Sequence, residues 1–337
     1  MIQMSQTRKY LQYLKYGLFS CVVLVGSAAG GAQSPTASFL QIEATPTISV
    51  ASDLVLLPVN VTDTRGNFVR GLEKDNFSVY EENQLQSLTV FQREDTPVGV
   101  GLIVDHSASM ESKLPSVAAA VSTFAKSGNP KDEMFVINFN DKVQLGSLGS
   151  KDFTSVSSEL EKAVGPLSAN GRTALYDAVA EGITHLELSH WQRKALVVIS
   201  DGGDNSSVYK HSDILKLARE SEVTIYSVIL ADEHGKDENP KALIQLSRET
   251  GGIAFLPRSP QSLMDFSLLI ARDLREQYTL GFVPDRRQIG PSFRKIEVHV
   301  FAPRTGKLNI RTRRGYFVDN RTVAPSASED VREQGQE

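Results

Sequence analysis

Cysteine is nearly missing from this chain of 337 residues, and the only one, Cys21, lies inside an apolar stretch near the N-terminus. Once that stretch is removed, no disulfide framework, thiolate metal site or cysteine nucleophile remains, and stability has to come from burial. A basic surplus is also missing: 36 Lys and Arg stand against 40 Asp and Glu, a net charge of −4. A dedicated nucleic-acid binder normally carries the opposite balance, so nucleic acid is not an expected partner. There is no H-E-x-x-H, no G-x-S-x-G elbow, no phosphate-cradling glycine loop and no internal repeat, which removes the commonest signatures of hydrolases and nucleotide binders. Outside the N-terminal stretch, no run is long and apolar enough to cross a bilayer. What remains, 40% hydrophobic and 23% charged, is the composition of an ordinary globular protein with room for one large domain or two medium ones.

The N-terminus has the form of a secretory signal. Arg8, Lys9 and Lys15 precede the apolar residues 17–29, and Gly30, Gly31 and Ala32 offer a small-residue exit before Gln33. An uncleaved anchor is the alternative. Cys21 sits within the apolar core, whereas a lipid-modified cysteine would follow it, so a lipoprotein is not expected. Residues 1–32 are thus expected to be a signal peptide and 33–47 a Ser/Pro/Thr/Ala linker. The mature protein is expected in the periplasm or cell envelope, or secreted, with a bacterial source preferred.

Residues 48–96 form a β segment on this reading, with strands at 54–61, 77–80 and 85–91 and a turn at Gly66-Asn67. The pattern changes at Pro97. Continuous apolar runs at 98–104, 134–139 and 195–200 fit strands buried on both faces. Amphipathic helices are expected at 115–126, 153–164, 174–188, 212–220, 240–250 and 260–276, with further strands at 142–148 (an edge), 223–230 and 253–256. This alternation specifies an α/β unit over 97–277, a doubly wound, mostly parallel sheet. Strands return at 278–283, 295–301 and 308–318. The segment 278–319 is short for a domain, so it is expected to pack with 48–96 as one small β-sandwich interrupted by, or flanking, the α/β unit. Residues 320–337 are a polar tail, expected to be disordered.

In sheets of this kind ligands bind at the carboxyl ends of the strands. Asp105 ends one buried run and Asp201 ends another, which puts both carboxylates on one rim. Ser107 and Ser109 follow Asp105 in a D-x-S-x-S spacing, where alternate residues of extended chain point the same way. Thr173 stands just before a helix in a loop opened by Gly171. Two carboxylates and three hydroxyls are hard oxygen donors, suited to a divalent cation. Mg²⁺ is the first choice, with Mn²⁺ or Ca²⁺ as alternatives. If one carboxylate reaches the ion through water, the ion stays electron-poor and favours an outside acidic ligand such as a partner's Asp or Glu. Adjacent residues on extended chain face opposite ways, so His106 is not placed to serve Ser107 as a catalytic base. The remaining histidines are expected at the surface or at helix ends, Asp204 and Asn205 in a solvated loop, with an outward extension of the site as the alternative, and Arg311, Arg313 and Arg314 on the polar face of a strand.

This arrangement closely resembles the von Willebrand factor type A family and its metal-ion-dependent adhesion site. Asp105, Ser107, Ser109, Thr173 and Asp201 match that family's site motif one by one, and the resemblance covers residues 96–275. Ala108 departs from the pattern, where glycine is frequent. The resemblance implies that the hydroxyls and aspartates hold the ion directly or through water and that a protein partner completes its shell. The chain also looks like secreted bacterial type A proteins with β segments on both sides. The implied function is metal-dependent adhesion or protein binding, without catalysis. Two other readings stay open: an envelope assembly protein in which the ion is only a staple, and a metal-dependent hydrolase.

Overall fold

The computed structural model describes residues 54–93, 95–165, 168–230, 239–284, 293–302 and 306–317. The expected signal segment, linker and tail lie outside these residues, as do His234 and the turn at Gly290-Pro291. Among the described residues no helix is long and apolar enough to cross a membrane.

The N-terminal segment forms β1 (Val55–Asp63), β2 (Phe77–Glu81), β3 (Gln84–Gln86) and β4 (Leu88–Gln92). Along β1, Val55, Leu57, Val59 and Val61 are buried while Leu56 and Pro58 are half-buried, the period-two signature of a sheet with one face on a core. The expected strand over 85–91 is two strands. Glu82 and Asn83, both at positive φ, turn β3 back onto β2, and beyond Ser87 the chain passes to a different sheet as β4.

The α/β unit runs β5 (Gly99–Asp105), α1 (Leu114–Lys126), β6 (Glu133–Phe139), β7 (Val143–Leu145), α2 (Ser157–Ala163), α3 (Leu175–His185), β8 (Lys194–Ser200), α4 (His211–Glu220), β9 (Val223–Ile229), α5 (Pro240–Thr250), β10 (Ala254–Phe255) and α6 (Pro260–Arg275). Its six strands lie in the order β10-β9-β8-β5-β6-β7, all parallel except the edge strand β7. Every residue of β5 and β9 is buried because helices cover both faces. Val100, Leu102 and Val104 join one core with α1 and α6, while Ile103 joins the other with α3, α4 and α5. Each such side chain contributes roughly 1.5–3 kcal/mol over its exposed state. Gly101 faces the second core, where an added Cβ would stand 2.5 Å from both Leu196 and Phe135. The helix expected at 153–164 starts late, since Thr154 exchanges backbone hydrogen bonds with Met134 and draws its neighbourhood onto the sheet.

β11 (Tyr278–Phe282), β12 (Phe293–Val300), β13 (Leu308–Arg311) and β14 (Gly315–Phe317) complete two antiparallel sheets, β13-β1-β11-β4 and β14-β12-β2-β3. Both sheets draw strands from both ends of the chain and share one core that includes Leu57, Phe77, Leu280 and Ile296. The expected strand at 308–318 is again two strands in two sheets, and the break falls on Thr312, Arg313 and Arg314. Arg311 and Arg313 do not form an exposed polar face. Arg311 pairs with buried Asp273 of α6 at 2.5 Å, and Arg313 is buried, donating to the Leu56 carbonyl at 3.1 Å. Arg193, just before β8, donates to Thr96 Oγ1 at 2.7 Å and to Gln277 at 2.6 Å. Arg311 through Asp273, Arg313 through Glu222 at 3.5 Å, and Arg193 through Gln277, which donates to Asn60 of β1, tie the α/β unit to the β-sheets.

Candidate functional site

β5 and β8 are parallel neighbours, with Val104 opposite Ile199, so the residues that leave them emerge side by side. Asp105 closes β5 and is fully buried. Its Oδ1 accepts from the Ser107 amide at 2.7 Å and its Oδ2 from the Ser200 hydroxyl at 2.6 Å. Burial pushes its pKa up to about 6, with the nearby Asp201 adding to the rise and the bonds from Ser107 and Ser200 opposing it. Ser107 introduces a 3-10 turn over Ala108–Met110. Its hydroxyl lies 3.3 Å from that of Ser109, and Ser109 donates in turn to Asp201 Oδ2. Asp201 is buried while Ser109 is exposed, so the chain of oxygens runs from the interior to solvent. Gly202 sits at φ +86°, where an added Cβ would meet the Asn239 carbonyl at 3.1 Å. That conformation needs glycine and lets the loop turn sharply after Asp201.

Thr173 joins through its backbone. Its amide donates to Asn205 Oδ1 at 2.9 Å, and its carbonyl accepts from the amides of Asn205 at 3.0 Å and Ser206 at 3.1 Å. On the other side, Asn170 N donates to the His106 carbonyl at 2.9 Å, and Ala108 N reaches the Gly171 carbonyl at 3.4 Å. The Thr173 loop is therefore bonded to both of the loops that carry the aspartates.

Sequence reasoning overlooked several residues here. Ser200 holds Asp105 and also accepts from the Gly202 amide at 3.1 Å. Asp204 and Asn205 are not a freely solvated loop. Asp204 Oδ1 accepts from Ser207 Oγ at 2.5 Å, and Ser207 Oγ accepts from the amides of Tyr176 and Asp177. α3 begins after Ala174, whose methyl cannot accept a hydrogen bond, so the loop after β8 supplies its cap. Asp177 returns the contact by accepting from Val208 N and Tyr209 N, each at 3.0 Å. The D-x-x-S spacing of Asp204 and Ser207 is the signal that could have disclosed this local hydrogen bonding.

His106 turns away from the site. Its Nε2 donates to Asn138 Oδ1 at 3.1 Å, and burial lowers its pKa, favouring the neutral ring. His185 ends α3 as expected, yet it is buried against Phe135 and Phe153.

The oxygens fit a hard divalent cation by donor type. Among the described residues, neither Asp105 nor Asp201 pairs with a lysine, arginine or histidine, although both are buried. Nor, among them, is there a cluster of three or more His, Cys, Asp or Glu that could hold a metal. A cation at this rim would depend on hydroxyls to complete its shell.

A doubly wound sheet covered by helices on both faces puts this part of the chain in the α/β class rather than among barrels or bundles. More particularly, residues 100–267 are a von Willebrand factor type A domain, matched by that family's model over that span. Domains of this family mediate protein–protein interaction. Among solved structures, the chain is similar to a von Willebrand factor type A protein from Catenulispora acidiphila, at 14% identity over 80% of this chain and 74% of that one, with a TM-score of 0.47. An aerotolerance-related membrane protein from Bacteroides fragilis NCTC 9343 shares 16% identity over 52% of this chain and 98% of its own, with a TM-score of 0.42. The vWF domain of the type V pili tip protein Mfa5 from Porphyromonas gingivalis shares 14% identity over 53% and 95%, with a TM-score of 0.45. No curated protein matches the chain.

Proposed function

We propose that this is an exported protein-binding module whose type A domain captures an acidic group of a partner at a divalent cation held by Asp105, Ser107, Ser109, Thr173 and Asp201. One observation carries the reading: two buried carboxylates at the ends of adjacent strands, Asp105 bonded by the Ser107 amide and Asp201 by Ser109, whose hydroxyl also meets that of Ser107, with no basic partner among the described residues. Buried charge of one sign is costly unless something neutralises it. Mg²⁺ is the first choice for that position, and it would supply an electropositive point open to an outside Asp or Glu. Asp105 and Asp201 carry the charge, Ser107 and Ser109 lead outward from it, and Ser200 and Asn205 hold the loops in register.

The reading is one of binding rather than catalysis. His106, the nearest candidate base in sequence, is committed to Asn138 and turned from the serines, and the carboxylates beside the hydroxyls, Asp105 and Asp201, are the ones this reading gives to the cation. Export to the periplasm or cell envelope, or beyond it, rests on the signal-like N-terminus. The experiment is a pull-down from native envelope with the mature protein in Mg²⁺ and in EDTA, alongside Asp105→Ala. Capture lost in EDTA and in the variant is the expected result. Capture unchanged by both would remove the cation from the function and leave an assembly role for the β-sheets.

A further inference from the structure

A cleft of about 770 Å³ opens on the same rim, beyond β8. It is bounded by the end of β9 (Ile229, Leu230), the residues after β10 (Leu256 to Arg258), the first turn of α6 and Lys113 ahead of α1. Its wall is continuous with the candidate cation site. Leu230 N donates to the carbonyl of Ser200, the residue before Asp201, at 2.9 Å. Lys113, four residues after Ser109, donates to the Leu230 carbonyl at 2.8 Å.

Its chemistry differs from that of the oxygen-lined rim. Six of the eleven described lining residues are apolar, among them Leu256, which is 51% exposed there. Of the charged side chains in the described lining, Lys113 is already engaged, by the Leu230 carbonyl among others, and Arg258 is the other; no described residue of the lining is acidic. Arg258 is exposed and pairs with no described acid. Such a surface complements a segment that is apolar and acidic together.

We infer that this cleft is a second recognition pocket for the same protein partner, taking a bulky apolar side chain and a neighbouring acidic group. The inference rests on the cation-held docking point proposed above. Strand spacing sets the distance between the two subsites. From between β5 and β8 to between β9 and β10 is two spacings, roughly 10 Å, which extended chain covers in about three residues. The partner motif is thus a cation-binding Asp or Glu with an apolar residue about three positions away and a second acid beside it.

The test uses fluorescein-labelled peptides titrated by anisotropy against the mature protein in Mg²⁺. The parent peptide carries an aspartate, a leucine three positions on and a glutamate after it. In the second peptide the leucine and glutamate become glycine and glutamine, and in the third the aspartate becomes asparagine. The parent is expected to bind about tenfold tighter than the second, and Leu256→Ser or Arg258→Glu, both at exposed positions, to erase that advantage without changing affinity for the second. Equal binding of the first two peptides, parent affinity unchanged in both variants, or no measurable parent binding by Mg²⁺-loaded protein overturns the pocket. The third peptide, EDTA and Asp105→Ala report on the cation reading separately. Parent binding that ignores all three but falls in the cleft variants keeps the pocket and discards the cation.

Discussion

Thr173 and Asn205 hold each other by a reciprocal pair of hydrogen bonds. The Thr173 amide donates to Asn205 Oδ1 at 2.9 Å, and the Asn205 amide donates to the Thr173 carbonyl at 3.0 Å. Two loops that are 32 residues apart are thereby fastened at the point where a third, after β5, meets them.

Asn205→Ala removes one of these bonds and leaves the Thr173 amide without its acceptor. The expected cost in stability is about 1 kcal/mol. The expected loss of divalent affinity is about tenfold, the scale seen when groups that orient metal ligands are removed. Mn²⁺ titration followed by electron paramagnetic resonance would read it. Asn205→Asp keeps an acceptor at Oδ1 and should restore most of the affinity, which a merely destabilised loop would not do. Unchanged Mn²⁺ affinity in Asn205→Ala would show that the Thr173 loop is held by other means.

Asp105 links stability to pH. Burial lifts its carboxyl from 3.8 to about 6, so folding favours the protonated form. Its contribution is fully present below pH 3.8 and is lost as pH rises through about 6. A shift of roughly two units corresponds to about 3 kcal/mol. In EDTA, Asp105→Asn, which carries no charge at any pH, should therefore gain on the wild type by about that amount between about pH 4 and about pH 7. Excess Mg²⁺ should close or reverse the gap, because a ligand that binds only the folded state stabilises it. Urea denaturation at several pH values, with and without Mg²⁺, measures both. A gap that stays constant with pH would contradict this account.

Asp273 is the buried anion at the junction. It accepts from Tyr226 Oη at 2.6 Å and from Arg311 at 2.5 Å, while Asn60 donates to its backbone carbonyl at 2.9 Å. Burial and the Asp273 carboxylate push the Tyr226 phenol well above its ordinary value, so the tyrosine acts as a donor throughout the working range. Asp273→Asn strands Arg311 without its counter-charge, and the expected loss is about 3 kcal/mol. Adding Arg311→Met should recover part of it, since an uncompensated buried charge costs more than an apolar replacement. Chemical denaturation of the two variants provides the comparison, and a single variant within error of wild type would deny the junction this role.

Elements long enough to carry a period were legible in the sequence. The three buried runs became β5, β6 and β8, the strand expected at 223–230 became β9, and α5 spans the residues expected of it. The segments 85–91 and 308–318 misled because each carries strand-forming residues on both sides of a short polar stretch, while its two halves belong to different sheets. A strand that changes sheet keeps its composition, and only the partner across from it records the change. Arg311 and Arg313 were misjudged for a related reason: a charge on a strand is exposed by default unless a distant counter-charge or carbonyl meets it, and Asp273 and Leu56 are distant in sequence. At the rim, the oxygen-bearing residues were legible through spacing. Ser200, Asn205 and Ser207 were not, because an ordinary serine or asparagine gains its role from the loop it faces.

Hydrophobic period and strand-end position, both local properties, were enough to specify a doubly wound parallel sheet with Asp105 and Asp201 on one rim. Tertiary structure alone decided that Ser109 joins buried Asp201 to Ser107 beside buried Asp105, that Asn205 braces Thr173, and that a cleft of mixed apolar and polar lining lies beside them. Each of these depends on chain segments tens of residues apart coming within a few ångströms, and the energy of such a contact belongs to the pair, so neither stretch of sequence contains it.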